Sequence, residues 1–512
     1  MEAHPVTGDH PPHDPPANAG ALTREIMAPA SVVLLGAIMT ILDATIVNVA
    51  LPTLGQDLQT SVSTIQWVAT VYLLAFASVI PLSGWAAGRF GTKRVWLASL
   101  SLFMAGSLLA GLAPSIGALI AFRAVQGLGG GMVMPLGQAI LAQVAGPRRM
   151  GRVMSIVGVP MLLAPIFGPL IGGSLIQVGS WRWIFFVNLP VGLVAVALAA
   201  RLLPGAAPRR DQRLDTWGVV LLSGGLAVFL YGLAQTARHA HPGTPGAVGA
   251  MAAGALLVGL FVRHALRVPH PLLDMGLFRH RGFATGAAVN LVIGTALFGV
   301  ALLLPLYFEL ARHDSPFDTG LLLVPQGLGA AASISLAGYL TDRAGARRVV
   351  LVGVALALVG TAWYTQIGAR TPYVTTALAL LLLGGGMGAT VTPAMAAAFQ
   401  ELSPRVIGQA TSAINVVQRV AGALGSALLA VVLQHAMTAR LPGARGGIGR
   451  VDAASTSTPH AAGALASAFG VSFAVSLAIG VIALVPALLL PGRPARSGPG
   501  GHQQANPLAV AD

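Results

Sequence analysis

Residues 84–94 read G-W-A-A-G-R-F-G-T-K-R, and residues 338–348 read G-Y-L-T-D-R-A-G-A-R-R. Four of the eleven positions match, an aromatic residue stands second in both, and basic residues close both. The pattern G-G-G-M occurs at 129–132 and again at 384–387, so the two pairs repeat at offsets of 254 and 255. Two independent matches at nearly one offset indicate that the chain consists of duplicated halves. Parallel halves around a central cavity are one known plan of helical membrane proteins.

The composition predicts that this 512-residue chain lies in a membrane. Hydrophobic residues make up 55% and charged residues 9%, with a mean hydropathy of +0.77, whereas soluble domains are about 25% charged. The net charge of +14 is carried by short segments between apolar runs. Such charges anchor helices against an anionic leaflet, which argues against nucleic acid as a partner. The absence of cysteine excludes disulfides and thiolate metal sites.

Many apolar runs are long enough to cross a bilayer, which takes about 20 residues per helix. The sequence predicts an all-α integral membrane protein of fourteen helices, with two six-helix pseudo-symmetric bundles plus two additional helices. The additional pair follows from the repeat, because six spans with short loops need only about 200 residues. The expected spans are 30–51, 65–87, 95–112, 117–142, 153–176, 184–203, 216–236, 247–266, 284–308, 319–340, 348–367, 374–398, 406–436 and 466–490.

The same pattern divides the chain into five segments. The two ends, 1–28 and 491–512, have no apolar run of spanning length and are expected to be disordered tails. Residues 29–203 and 283–490 are expected to form the N-terminal and C-terminal bundles, with the extra helices and linkers at 204–282. With both tails in the cytoplasm, 21 of 30 basic residues lie on the cytoplasmic side and seven on the outer side. This excess predicts that both termini are cytoplasmic.

Six stretches, which follow one another in order over residues 30–490, resemble the sequence motifs of a known family. They are L-D-A-T-I-V-N-V-A-L-P at 42–52, the loop at 84–94, R-A-V-Q-G at 123–127, G-P-L-I-G-G at 168–173, W-R-W-I-F-F-V-N-L-P at 181–190 and P-L-L-D-M-G-L-F at 271–278. With them the chain resembles the fourteen-span drug:proton antiporter family of the major facilitator superfamily. The resemblance implies a multidrug efflux permease of the bacterial inner membrane, which exports small amphipathic or cationic compounds by alternating access. It also implies a monomer without enzymatic activity that uses the proton gradient as its energy source and needs no cofactor. Its expected partners are the transported compound, protons and membrane lipid.

Two charged residues inside predicted spans are candidates for proton coupling. Asp43 lies mid-span in the first helix, where an ionisable residue costs several kcal/mol and faces the bundle interior. Burial favours the protonated carboxyl and a nearby cation favours the carboxylate, so its proton affinity can change as access alternates. Arg123, which shares a helix face with Gln126, is the expected partner. The pair serves either proton exchange or permanent helix packing.

Six residues are expected to line a substrate cavity, and each also fits a packing role. Tyr72 can stack on a ligand or pack in the core. Glu309 can attract cations at the cavity mouth or end its helix in solvent. Asn415 and Arg419 belong to a small and polar stripe on the thirteenth span, which lines the cavity or packs against a neighbour. The expected set is Asn48, Tyr72, Gln126, Glu309, Asn415 and Arg419.

Glycine, proline and basic residues at two places predict gating elements. In the fifth span, proline bends the helix and glycine lets a neighbour approach, which makes a hinge between the halves or plain close packing. In the related family, an acid in the loop motif latches the cytoplasmic gate; Gly88 stands there in the first copy and Asp342 in the second. The glycine puts the latch of the first half in question and leaves open that the inward-closed state is held differently. The expected set is Gly84, Arg89, Gly91, Pro165, Gly168, Pro169, Gly172, Gly173, Gly338, Asp342 and Arg343.

Four functions compete on this evidence. They are a multidrug exporter, a dedicated exporter of one metabolite, siderophore, antibiotic or lipid, an integral-membrane enzyme, and a non-transporting sensor. An enzyme needs clustered catalytic side chains at one membrane face, and the sequence shows no such cluster and no Walker loop. A sensor needs a soluble domain, and the longest loop, near 438–465, is too short for one. The two exporters share every feature of the sequence.

Overall fold

The computed structural model describes residues 24–205, 213–239, 245–368, 371–399, 402, 406–440 and 459–492. The predicted tails lie almost wholly outside these residues. The described chain is helical and contains no strand, as the apolar spacing predicts. The helices are α1 (Arg24–Asp57), α2 (Val62–Val79), α3 (Leu82–Phe90), α4 (Thr92–Gly111), α5 (Ile116–Val178), α6 (Trp183–Phe186), α7 (Asn188–Leu202), α8 (Thr216–His239), α9 (Pro245–Ala265), α10 (Arg281–Leu306), α11 (Pro316–Ala344), α12 (Ala346–Tyr364), α13 (Tyr373–Phe399), α14 (Ile407–Arg440), α15 (Pro459–Ile482) and α16 (Leu484–Leu489).

Among the described residues, 12 helices are long and apolar enough to cross a membrane, or 13 if the bent pair α2–α3 forms one span. Pro81 stands at that break, where the two axes differ by 55°, because proline supplies no backbone N–H to continue the helix. These spans match all the predicted ones except 153–176, which lies in the second part of α5. The total of fourteen therefore stays a prediction.

Helix α5 extends over 63 residues, which would measure about 95 Å in a straight helix. Its contacts show that the chain turns back instead. Leu141 and Val153 both cluster with the first turns of α1, whereas Leu119 and Ile171 both pack with its last turns. The two parts of α5 thus lie along α1 in opposite directions, and the chain reverses between residues 145 and 153. This packing favours two membrane crossings by α5.

The two copies of the loop motif have the same backbone geometry. Gly91 and Gly345 occupy the same position of each copy and have positive φ angles of 89° and 86°, a region that glycine enters without steric cost. Each donates its N–H to the carbonyl four residues earlier, on Ala87 and Thr341 respectively, and so ends one helix before the next begins. This agreement supports the duplication inferred from the sequence.

The helices pack as a first group (α1, α2, α4, α5, α7) and a second group (α10 to α15), with α8 along the seam between them. On the first group, Trp67 stacks on Tyr231 of α8 with ring centroids 5.7 Å apart. Leu230 of α8 joins Ala77 of α2 and Ala427 of α14 in one apolar cluster. Helix α9 packs mainly on α8. The extra pair therefore covers the seam from outside, while the five-segment division stays a prediction.

Candidate functional site

A closed hydrogen-bond network surrounds Asp43 in the first group of helices. Arg123 donates from Nη1 to Asp43 Oδ2 at 2.6 Å and to Gln126 Oε1 at 2.7 Å. Gln126 Nε2 and Asn188 Nδ2 both donate to Asp43 Oδ1, at 2.8 and 3.0 Å. All four side chains are buried, and Asp43 has 0% of its surface exposed. The structure thus brings Asp43 and Arg123 together as a buried ion pair.

Asn188 belongs to this network but is absent from the site residues predicted from sequence. It is the first residue of α7, directly after the short helix α6. Its Nδ2 also lies 3.1 Å from Ser107 Oγ, which in turn donates to the Phe185 carbonyl at 2.8 Å. In the sequence, the one sign of its role is that Asn188 interrupts the otherwise apolar run 183–190 with an amide. An uncharged side chain in such a run is a weaker signal than a carboxylate, so it was missed.

Aromatic rings cover the guanidinium of Arg123. Its Cζ lies 4.0 Å from the centroid of the Tyr72 ring and 5.8 Å from that of Phe185. Arg123 Nε donates to the Val68 carbonyl at 3.2 Å. Tyr72, predicted for the substrate cavity, is itself 1% exposed. It therefore separates the ion pair from the space between the two groups of helices.

The geometry of the network suits an ionised carboxylate. Arg123, Gln126 and Asn188 all act as donors to Asp43, whereas a protonated carboxyl would need an acceptor for its own O–H. Removing one member of a buried ion pair leaves an uncompensated charge, at a cost of about 3–5 kcal/mol. The structure thus shows a closed network in which one carboxylate on α1 is held by donors from α5 and α7.

Arg419 on α14 lies across the seam from this network. Its Cζ is 4.3 Å from the centroid of the Phe76 ring, and the Phe76 ring packs on Tyr72 at 5.8 Å. The side chain is exposed although it stands mid-way along a membrane-spanning helix and packs on Phe76 of the other group. Both observations hold together if Arg419 faces a cavity inside the protein. Among the described residues, no carboxylate lies within ion-pair distance of it.

The other predicted cavity residues lie in different surroundings. Gln126 is fully buried in the Asp43 network, and Asn415 is 5% exposed. Asn48 is exposed on α1. Glu309 is half-buried on the single π-helical turn that follows α10. The structure thus separates this set into network, seam and exposed positions, and the substrate-binding role stays a prediction.

Neutral hydrogen bonds join the two groups of helices at the end predicted to be cytoplasmic. Ser412 Oγ on α14 donates to the Ile80 carbonyl at 2.7 Å, and Ser83 Oγ donates to Ser412 Oγ at 3.2 Å. Asn415 Nδ2 donates to Gln138 Oε1 on α5 at 2.7 Å. We call these three contacts the inner latch. No charged group takes part in them.

The predicted gating glycines differ in their surroundings. A methyl group at Gly84 on α3 would lie 3.0 Å from backbone atoms of α14, so the backbones of the two groups meet there. In the second part of α5, a methyl group at Gly168 would collide with Thr45 of α1, and one at Gly172 would press on Ile46. A methyl group at Gly173 would meet nothing within 4 Å. Close helix approach is therefore a property of Gly168 and Gly172.

The remaining gating residues lie near the repeated loops. Arg89 is half-buried on α3, and Gly338 is buried on α11. The Arg343 guanidinium lies 4.2 Å from the centroid of the exposed Tyr339 ring. The side chains of Pro165, Pro169 and Asp342 lie outside the described residues.

Comparisons with known proteins agree over most of the chain. The family described as the Major Facilitator Superfamily matches residues 33–426. A multidrug resistance protein B homolog of Mycobacterium tuberculosis is 39% identical over 96% of both chains. A puromycin resistance protein of Streptomyces alboniger is 34% identical over 89% of both chains. The human organic anion transporter MFSD10 shares the fold, with a TM-score of 0.62 and 17% identity over 91% of this chain and 100% of that one.

Proposed function

The chain belongs to the major facilitator superfamily, and we propose that it is a multidrug efflux permease that exports small amphipathic or cationic compounds in exchange for protons. Two relatives matched over most of their length carry the names multidrug resistance protein and puromycin resistance protein. Their names support export of toxic compounds. The many apolar helices make it a multi-pass membrane protein. We further propose a monomer in the bacterial inner membrane with both termini cytoplasmic, no enzymatic activity and no cofactor.

The observation that carries proton coupling is the buried Asp43–Arg123 pair. In the arrangement described, three donors hold Asp43 as a carboxylate and the inner latch closes the predicted cytoplasmic end. A proton arriving from the outer side neutralises Asp43 and weakens its hold on Arg123. Helices α1, α5 and α7 then separate, the latch opens, and the cavity faces the cytoplasm. Compound binds there, the proton leaves to the cytoplasm, and the pair re-forms as the cavity turns outward.

The experiment is dye efflux from everted membrane vesicles carrying the protein. Energising the vesicles should drive accumulation of a cationic dye such as ethidium, and collapsing the pH gradient with nigericin should abolish it. Vesicles carrying Asp43→Asn at equal protein level provide the matched control. Accumulation that survives nigericin would refute proton exchange. A panel in which one compound alone is transported would favour a dedicated exporter.

A further inference from the structure

Arg419 is an exposed cation among the packed helices. The charged side chains that are buried in the described part of the chain, Asp43 and Arg123, pair with each other. Arg123 is neutralised by Asp43 at 2.6 Å, whereas Arg419 has no carboxylate partner among the described residues. We propose that Arg419 binds an anionic group of the exported compound, so that amphipathic organic anions are among the substrates. This inference rests on the proposed export function and names a substrate class for it.

The neighbours of Arg419 on α14 show which way it faces. Asn415, one turn earlier on the same face, bonds Gln138 of the first group. Gly422, one turn later, lies against the Phe298 ring of α10. The Asn415–Gln138 bond and the contact of Arg419 with Phe76 of α2 show that this face of α14 turns towards the first group, while α8 covers the adjoining seam from outside. Arg419 lies about 6 Å beyond Asn415 along the helix, on the side of the inner latch that faces away from the predicted cytoplasmic end.

The two halves differ at the positions of these charges. At the offset of 254 residues, the position equivalent to Arg419 in the first half is Pro165. Conversely, the positions equivalent to Asp43 and Arg123 in the second half are Leu297 and Ala377. Among the described residues, the buried ion pair therefore belongs to the first half and Arg419 to the second. On our inference, this division separates a proton site from a substrate site.

The surroundings of the guanidinium define the ligand chemistry. Phe76 stacks on one face of it at 4.3 Å, which leaves the N–H groups at its edge to meet a ligand. Such an edge matches carboxylate, sulfonate or phosphate oxygens in a two-point contact. The Phe298 ring beside Gly422 is 46% exposed and offers an apolar surface for an aromatic body. The site thus fits an aromatic compound with one anionic group.

A pair of matched fluorescent probes tests the inference on the full-length protein in lipid nanodiscs. Anilinonaphthalene sulfonate and N-phenylnaphthylamine share one aromatic skeleton and differ by the sulfonate. We expect Arg419→Gln to weaken sulfonate binding by about tenfold or more, since a charge-assisted contact is lost, while the neutral amine binds as before. Arg419→Lys keeps the charge but loses the two-point contact, so its sulfonate affinity should lie between those of the wild type and Arg419→Gln. Arg347→Gln, which removes an exposed charge at the start of α12, is the control for net charge.

The outcomes separate this inference from the proposed export function. Unchanged sulfonate binding in Arg419→Gln would overturn the anion site, and so would an equal loss for both probes, because Arg419 would then only shape the cavity. If wild-type vesicles export neither probe nor any cationic dye, the export function fails. Binding in nanodiscs would still decide the role of Arg419 in that case. Thermal unfolding of each variant checks that the fold is retained, and Arg419→Met, which also removes the charge, supplies the test if Arg419→Gln unfolds.

Discussion

At the scale of single residues, the proposed mechanism makes the carboxyl of Asp43 the group that exchanges protons. Asp43→Asn should abolish pH-gradient-driven efflux, because the amide takes up no proton. The change also leaves Arg123 buried without a counter-charge, at a cost of about 3–5 kcal/mol. The measurement is the initial rate of dye accumulation in everted vesicles, normalised to the level of the protein.

A double variant separates chemistry from folding. Asp43→Asn with Arg123→Gln removes both charges, so it should recover thermal stability relative to Asp43→Asn while remaining without proton-driven efflux. Near wild-type transport in either variant would mean that the proton path runs elsewhere, with Glu309 as the next candidate.

Asn188 should tune this site without being essential to it. Asn188→Leu removes one of the three donors to Asp43 and places an apolar side chain beside the carboxylate. The initial rate of efflux should therefore fall severalfold without being abolished, because Arg123 and Gln126 still bind Asp43. Ser107→Ala is the matched control, because it removes a contact of Asn188 without touching Asp43. Equal efflux rates for the two variants would assign Asn188 a packing role.

Sequence reasoning succeeds at this scale where a charge interrupts an apolar run. Asp43 and Arg123 stand out for that reason, and the structure joins them. Asn188, Ser83 and Gln138 carry no charge, and their partners lie 145, 329 and 277 residues away along the chain. Contacts of that kind depend on the packing of helices and leave no local pattern.

At the scale of helices, the inner latch holds α3 and α14 together by neutral contacts. Ser412→Ala removes both hydrogen bonds of that side chain, each worth about 1 kcal/mol. The resting population should shift towards the state that is open at the predicted cytoplasmic end. Because the chain has no cysteine, spin labels can be attached at two introduced cysteines and their distance measured across that end. Gly173→Ala, where the added methyl meets nothing within 4 Å, is the control.

Gly88→Asp should act in the opposite direction. The related family carries an acid at this position of the loop motif, and a carboxylate on α3 adds a charge contact to the closed state. The same distance measurement should show more of the closed population, and Gly88→Asp should compensate Ser412→Ala in a double variant. If neither change moves the distances, the first copy of the motif has no role in the latch.

Helix positions followed from the sequence more completely than helix paths. Apolar length set nearly every span, yet the reversal within α5 is seen only in how its two parts pack against α1. Hydropathy reports how long a segment is apolar and carries no information on where it bends.

At the scale of the whole molecule, the proposed proton site and anion site determine the net charge that each transport cycle moves across the membrane. In the proposed mechanism Asp43 alone exchanges a proton, which limits exchange to about one proton per cycle. Export of a monovalent cation is then electroneutral, whereas export of a monovalent anion moves two charges and responds to membrane potential. Proteoliposomes with an imposed potassium diffusion potential should show faster export of anilinonaphthalene sulfonate and unchanged export of ethidium. Equal responses of the two probes would contradict this balance.

The repeat predicted the two-group architecture, because duplicated motifs at one offset require duplicated structure. It did not predict the asymmetry, since Arg419 matches nothing in the first half. Similarly, the surplus length of the repeat indicated an extra pair of helices, while the position of α8 on the seam depends on apolar contacts with both groups.

The inner latch also bears on how the protein behaves during osmotic stress. When a bacterium loses water, its internal salt concentration rises, and salt screens contacts between charges over a Debye length of about 8–10 Å. Hydroxyl and amide hydrogen bonds and a glycine contact carry no net charge, so such screening leaves them almost unchanged. None of these groups titrates near neutrality either. The cytoplasmic closure should therefore keep its strength as ionic strength and internal acidity vary.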